Sequence, residues 1–274
     1  VPGRSLRCAR HPLQFKEVFR TRFRVPVGEN EKLARVVERL NSSVMVTALW
    51  RNTNRMAVDR LLMNDHGPVH VKIVANIALR ILRLLVEGGV TPSIVQHHGM
   101  GNEDAEVVVV LASALHDVGH VVHRENHEEF SVVLASQVIP AVLKGIYDED
   151  EATTVMGETL HAIYAHRTDV HPITIEAAIV RVADALDMES GRARIPFEAG
   201  SHSIHAVSAY AVENVEIHRG DERPVRIDIT MKDSAGMFQV DYLLKKKLAG
   251  TGIEDFFEVY VHSRGVLEGD VRVW

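Results

Sequence analysis

The chain has 274 residues, of which 46% are hydrophobic and 25% charged, with a net charge of −6 and one cysteine, Cys8. That length can bury a substantial core as one large domain, or as a main domain with a smaller one. The acidic balance argues against a nucleic-acid partner, while a lone cysteine excludes an intrachain disulfide and a thiolate zinc site, as expected of a reducing, cytoplasmic setting.

In chain order, residues 1–28 read as a trimmed or loose N-terminal arm, basic at its start and without the apolar core of a secretory signal. Residues 29–200 carry helical periodicity, as in Leu33, Val36, Val37 and Leu40, then Ile73, Ile77, Ile81, Leu84 and Leu85. Helix boundaries are marked by Asp65-His66-Gly67-Pro68, by Gly88-Gly89 and by the loop His97 to Asn102. Further helices are predicted near 104–116, 128–143, 149–166 and 173–188. The most apolar stretches, 73–86 and 107–115, are too short or are broken by Arg80 and Arg83. A membrane span needs roughly 20 apolar residues, so no membrane partner is expected.

After Pro196 the texture changes, and residues 201–274 read as a small α+β domain. Residues 215–218 and 225–229 alternate apolar with polar, with turn-rich sequence at 220–224 between them, which predicts a hairpin. A short helix is predicted over 239–248 and a strand over 256–262. The fold class is therefore mainly α, a helical bundle with a C-terminal strand-strand-helix-strand unit. The run Lys245-Lys246-Lys247 reads as the solvated face of that short helix.

Sixteen histidines are the compositional excess. With so many, a lone His-Asp pair arises by chance. The pair His116-Asp117 gains weight because it ends the apolar run 107–115, where an unpaired carboxylate is costly to bury and a metal ion is a natural partner. Asp184, between Val182 and Leu186, meets the same desolvation argument. His70 sits in the first turn of the helix opened by Gly67-Pro68. Asp187, three positions beyond Asp184, reads as a helix-surface group or a support for a ligand rather than a ligand itself.

The order His70, His116-Asp117, Asp184 over about 65–188 resembles the HD superfamily of metal-dependent phosphohydrolases. The resemblance implies an HD-type bundle that binds one or two divalent metals and hydrolyses a phosphomonoester or phosphodiester, nucleotides included, with a metal-bound hydroxide. It implies metal ligands at His70, His116, Asp117 and Asp184. It extends the set to His127 and His166, with His161 in reserve, for a second ion roughly 3.5–4 Å from the first and bridged by Asp117. Nitrogen-rich ligation favours Mn, Fe, Co, Ni or Zn over Mg. Asp117, His120 and Lys72 are candidate catalytic groups, and Arg124, Arg192 and Arg194 candidate phosphate-binding ones.

The cyclic-dinucleotide branch carries a Gly-Tyr-Pro motif after its later histidines. Here His166 is followed by Arg167-Thr168-Asp169-Val170-His171-Pro172, so that branch is disfavoured. Residues 183–196 and 204–209 look like those of an uncharacterised prokaryotic HD subgroup with its own C-terminal unit, and a homo-oligomer is expected. Two rival readings are an HD-type di-iron oxygenase and a nucleotide-binding regulator with little turnover.

Overall fold

The computed structural model describes residues 22–189, 208 and 210–263, with the backbone of 270–272. Arg192 and Arg194 lie outside the described residues. Among the described residues, these helices precede a sheet: α1 Glu31–Ser42, α2 Val44–Asn54, α3 Pro68–Glu87, α4 Ser93–His98, α5 Asn102–Leu115, α6 His127–Leu143, α7 Glu149–Ala165 and α8 Ile175–Leu186. α2 runs on into a π-helical turn, Arg55–Arg60. The starts follow from capping: Asn30 accepts from the Leu33 amide, Ser43 from Val46, Thr174 from Ala177, and Asp148 with Glu151 forms a capping box.

α5 is the centre of the body. Val107 to Leu115 are all fully buried, and the helix packs against α1, α3, α7 and α8. A helix apolar all round is a core helix, so the residues at its C-terminal end emerge into the interior rather than into water. The arm is not loose where it is described: Phe23 is fully buried on the Trp50 ring and exchanges backbone hydrogen bonds with the Asn41 side chain.

The expected strand-strand-helix-strand order is present, with a short strand added. β1 Val212–Arg219, β2 Val225–Met231, β3 Phe257–Ser263 and β4 Asp270–Arg272 form one sheet in that order. β1 and β2 are an antiparallel hairpin pairing Ile217 with Ile227. β2 and β3 are parallel, which requires a crossover, and a π-helical turn at Gln239–Leu244 leading into α9 Lys245–Leu248 supplies it. The hairpin packs on α3, and α9 lies against α8. Arg181 of α8 ties the two units together by donating to the carbonyls of Thr168 and Lys246. No helix among the described residues is long and apolar enough to cross a membrane.

Candidate metal centre

Six elements deliver histidine and carboxylate side chains to one buried spot. His70 comes from the first turn of α3, which Asp65 fixes by accepting from the amides of Gly67 and His70. His116 and Asp117 follow the end of α5, and a 3-10 turn, Val118–Val121, then carries His120. His127 opens α6, His166 ends α7, and Asp184 lies on the last turn of α8. His70, His116, Asp117, His120, His127 and His166 are all buried.

Asp117 sits in the middle, with its two oxygens facing different sets of imidazoles. Its Oδ2 lies 3.2 Å from His70 Nε2 and 3.4 Å from His116 Nε2. Its Oδ1 lies 3.3 Å from His127 Nε2, 3.5 Å from His120 Nε2 and 3.9 Å from His166 Nε2. Asp184 Oδ1 closes the first set, 3.4 Å from His70 Nε2 and 3.7 Å from His116 Nε2. Among the described residues, His70, His116 and Asp117 form one group with metal-binding spacing, and Asp117, His127 and His166 form another.

The tautomers are set by the other ring nitrogens. A carbonyl oxygen only accepts, so the Nδ1 atoms of His116, His127 and His166 must be N–H donors to the carbonyls of Ser113, Arg124 and Ile163, at 2.8, 3.0 and 2.5 Å. His70 Nδ1 likewise meets Asp187 Oδ2 at 2.5 Å. Each ring is thus left with its Nε2 lone pair turned toward the carboxylates, the tautomer and orientation that a metal-ligating histidine takes. His70 Nε2 and His116 Nε2 are 3.1 Å apart, and two lone pairs at that distance need a cation or a proton between them.

The electrostatics agree. Burial alone would depress the His116 pKa, but Asp117 and Asp184 override it and push it up to about 9, so without metal a proton takes the cation's place. Burial would raise Asp117, yet His116, His66 and His120 hold it well below the usual carboxylate range. Desolvation opposes the charge on Asp184 too, but Lys247 and the histidines keep it ionised. Burial, helped by His116 and Lys247, holds His166 well below its ordinary value, hence neutral. Neutral imidazole beside ionised carboxylate is the protonation state that metal binding requires. Buried nitrogen and oxygen donors with preset lone pairs fit a divalent first-row cation.

Several sequence expectations are corrected here. His161, five residues before His166 on α7 and so about 140° round the helix, stands outside the cluster and accepts the Ile173 amide at 3.2 Å. Lys72 is two residues beyond His70 on α3 and so about 200° round the helix from it. His120, a candidate catalytic group, is fully buried in the cluster. Arg124 is exposed, but its guanidinium reaches His120 Nε2 at 3.3 Å, which places a cation at the rim.

Two residues escaped the sequence reading of the site. His66, read only as part of a helix-breaking turn, has Nδ1 2.6 Å from Asp117 Oδ2. No helix-face spacing marks it, because His66 precedes α3 across the extended Gly67. Lys247, taken for a solvated surface lysine, donates to Asp184 Oδ2 at 3.2 Å and to the His166 carbonyl at 2.5 Å. No local pattern marks it, because the contact depends on how the C-terminal unit docks.

A bundle whose separate helices supply His70, His116-Asp117 and Asp184 is an HD-type metal-binding fold. Residues 67–189 match the HD domain family, and the chain belongs to that family. It is similar to the uncharacterized protein MJ1020 of Methanocaldococcus jannaschii, 40% identical over 225 residues, covering 82% of this chain and 87% of that protein. No solved structure gives a significant match.

Proposed function

We propose that the protein is a metal-dependent phosphohydrolase acting on a phosphomonoester or phosphodiester. The observation that carries this reading is the shared orientation of His70, His116, His127 and His166, each with Nδ1–H engaged and Nε2 facing Asp117. His70, His116, Asp117 and Asp184 would hold one divalent ion, and Asp117, His127 and His166 a second. Such ions lower the pKa of a bound water and offset negative charge on phosphoryl oxygens.

The chain's own residues do the remaining work. Asp117 would bridge the two positions, one oxygen to each. Asp187 and the three backbone carbonyls fix the ring tautomers, so little reorganisation is left to the reaction. Lys247 and Arg124 place fixed positive charge beside the cluster, next to Asp184 and His120 respectively. Positioned cations of this kind stabilise the charge that builds on a phosphate in the transition state.

The test is elemental analysis of protein purified without a chelating tag, followed by a phosphate-release screen of monoesters, diesters and nucleotides with the metal found. Metal-dependent phosphate release that is lost in Asp117→Ala, with the helical content retained, is the expected result. Iron-dependent oxygen uptake with no phosphate release would instead support the oxygenase. Nucleotide binding without turnover in any metal would support the regulator.

A further inference from the structure

His66 and His120 are left over once the two groups centred on His70 and His166 have been assigned. Both lie against Asp117, and among the described residues His66, Asp117 and His120 form a third group whose donor atoms all lie within 4.8 Å of one another. Their rings are 4.7 Å apart, centroid to centroid. His120 Nε2 faces the carboxylate, 3.5 Å from Asp117 Oδ1, and His66 Nδ1 lies 2.6 Å from Asp117 Oδ2.

Both residues are held by tight local packing. Gly67, next to His66, lies so close to Asn54 that a Cβ there would come within 2.7 Å of the Asn54 Cβ. Asn54 in turn accepts from the His66 amide and donates to Asp65, which braces the turn on both sides. Gly119, next to His120, packs against the His127 carbonyl and the Ser131 amide, and its own amide donates to Ser131 Oγ at 2.8 Å. The turn bearing His120 is thereby locked onto the start of α6.

We propose that His66, Asp117 and His120 form a third cation position, for a first-row divalent metal that accepts imidazole ligands. The proposal rests on the reading of the Asp117 cluster as a metal centre. A carboxylate has two oxygens and about four lone-pair sites, so Asp117 can serve a third ion while bridging two. The third position lies on the side of the cluster where Arg124 reaches His120. That edge would gather positive charge where a substrate phosphate approaches.

The experiment counts metal in the full chain after chelator stripping, reloading with Mn²⁺ and desalting, with anomalous scattering from crystals of the same loaded protein to locate the ions. Three ions per chain are expected in the wild type, one of them between His66, Asp117 and His120, and two in both His66→Ala and His120→Phe. Two ions in all three proteins, or three that persist in both variants, overturns the third position and leaves the two-metal reading standing. No metal at all overturns both. If a variant fails to fold, the wild-type anomalous map decides by itself.

Discussion

Lys247 Nζ stands 3.2 Å from Asp184 Oδ2, joining the C-terminal unit to the only carboxylate on α8 that faces His70 and His116 among the described residues. The same ammonium donates to the carbonyl of His166, so one side chain touches both sides of the cluster. Replacing it with methionine removes the charge and both hydrogen bonds but keeps much of the apolar stem. Loss of the Asp184 partner should cut turnover about 10- to 100-fold, the range for groups that orient metal ligands. Metal content should hold, because a cation that repels the bound ions has also gone. Paired measurement of kcat and metal per chain checks this, and unchanged kcat with full metal would remove Lys247 from the site.

Asp187 is the partner of His70 Nδ1 at 2.5 Å and is itself buried. A carboxylate on the far nitrogen of a ligating imidazole fixes its tautomer and raises its basicity. Asp187→Ala should weaken metal binding about 10- to 100-fold while leaving the stoichiometry at saturation unchanged. Competition with a chromogenic chelator measures the affinity. A variant that binds as tightly as the wild type would mean that the Asp187 contact is purely structural.

Gly119→Ala tests whether local packing builds the site. Its Cβ would collide with the His127 carbonyl and the Ser131 amide, both main-chain atoms that cannot swing aside as a flexible side chain could. Overpacking of this kind costs about 1–3 kcal/mol. The strain should also separate His120 from His127, whose rings stack at 4.1 Å. The expected outcome is a lower melting temperature in the metal-stripped protein together with fewer ions bound after reloading. A variant that melts and loads like the wild type would show that the turn gives way freely.

The helical body was legible because its signals are local. Apolar residues recur at three and four positions, Asp65-His66-Gly67-Pro68 and Gly88-Gly89 mark helix boundaries, and the alternation at 215–218 and 225–229 announced the hairpin. His116-Asp117 stood out because the preceding run 107–115 is apolar on every face, which can only be a core helix. His161 was misplaced for a reason visible in the spacing, since five residues along a helix do not return to the same face. His66 was hidden by its neighbours, because Asp-His-Gly-Pro reads first as a helix boundary. Lys247 was illegible for a physical reason: 63 residues separate it from Asp184, and only the docking of α9 on α8 brings them together.

Glu176 offers a test of the scaffold apart from the metal. It is fully buried in the first turn of α8 and accepts from the amides of Ser93 and Ile94, at 3.2 and 3.0 Å, at the start of α4. Burial raises its pKa above the ordinary 4.5, and nearby Glu158 adds to the rise. For an acid whose pKa is raised by folding, the associated stability is fully present below the unfolded value and is lost as pH climbs through the folded one. Glu176→Gln cannot titrate, and its amide oxygen serves the two N–H groups less well than a carboxyl does, at a cost of about 1–3 kcal/mol if one is orphaned. The wild type's advantage over the variant should therefore be largest near the ordinary carboxyl pKa and shrink as pH rises toward neutrality. Urea unfolding of both metal-stripped proteins across that range measures the difference directly, and an advantage that widens with pH would mean that the two amides stabilise the charged carboxylate more than burial penalises it.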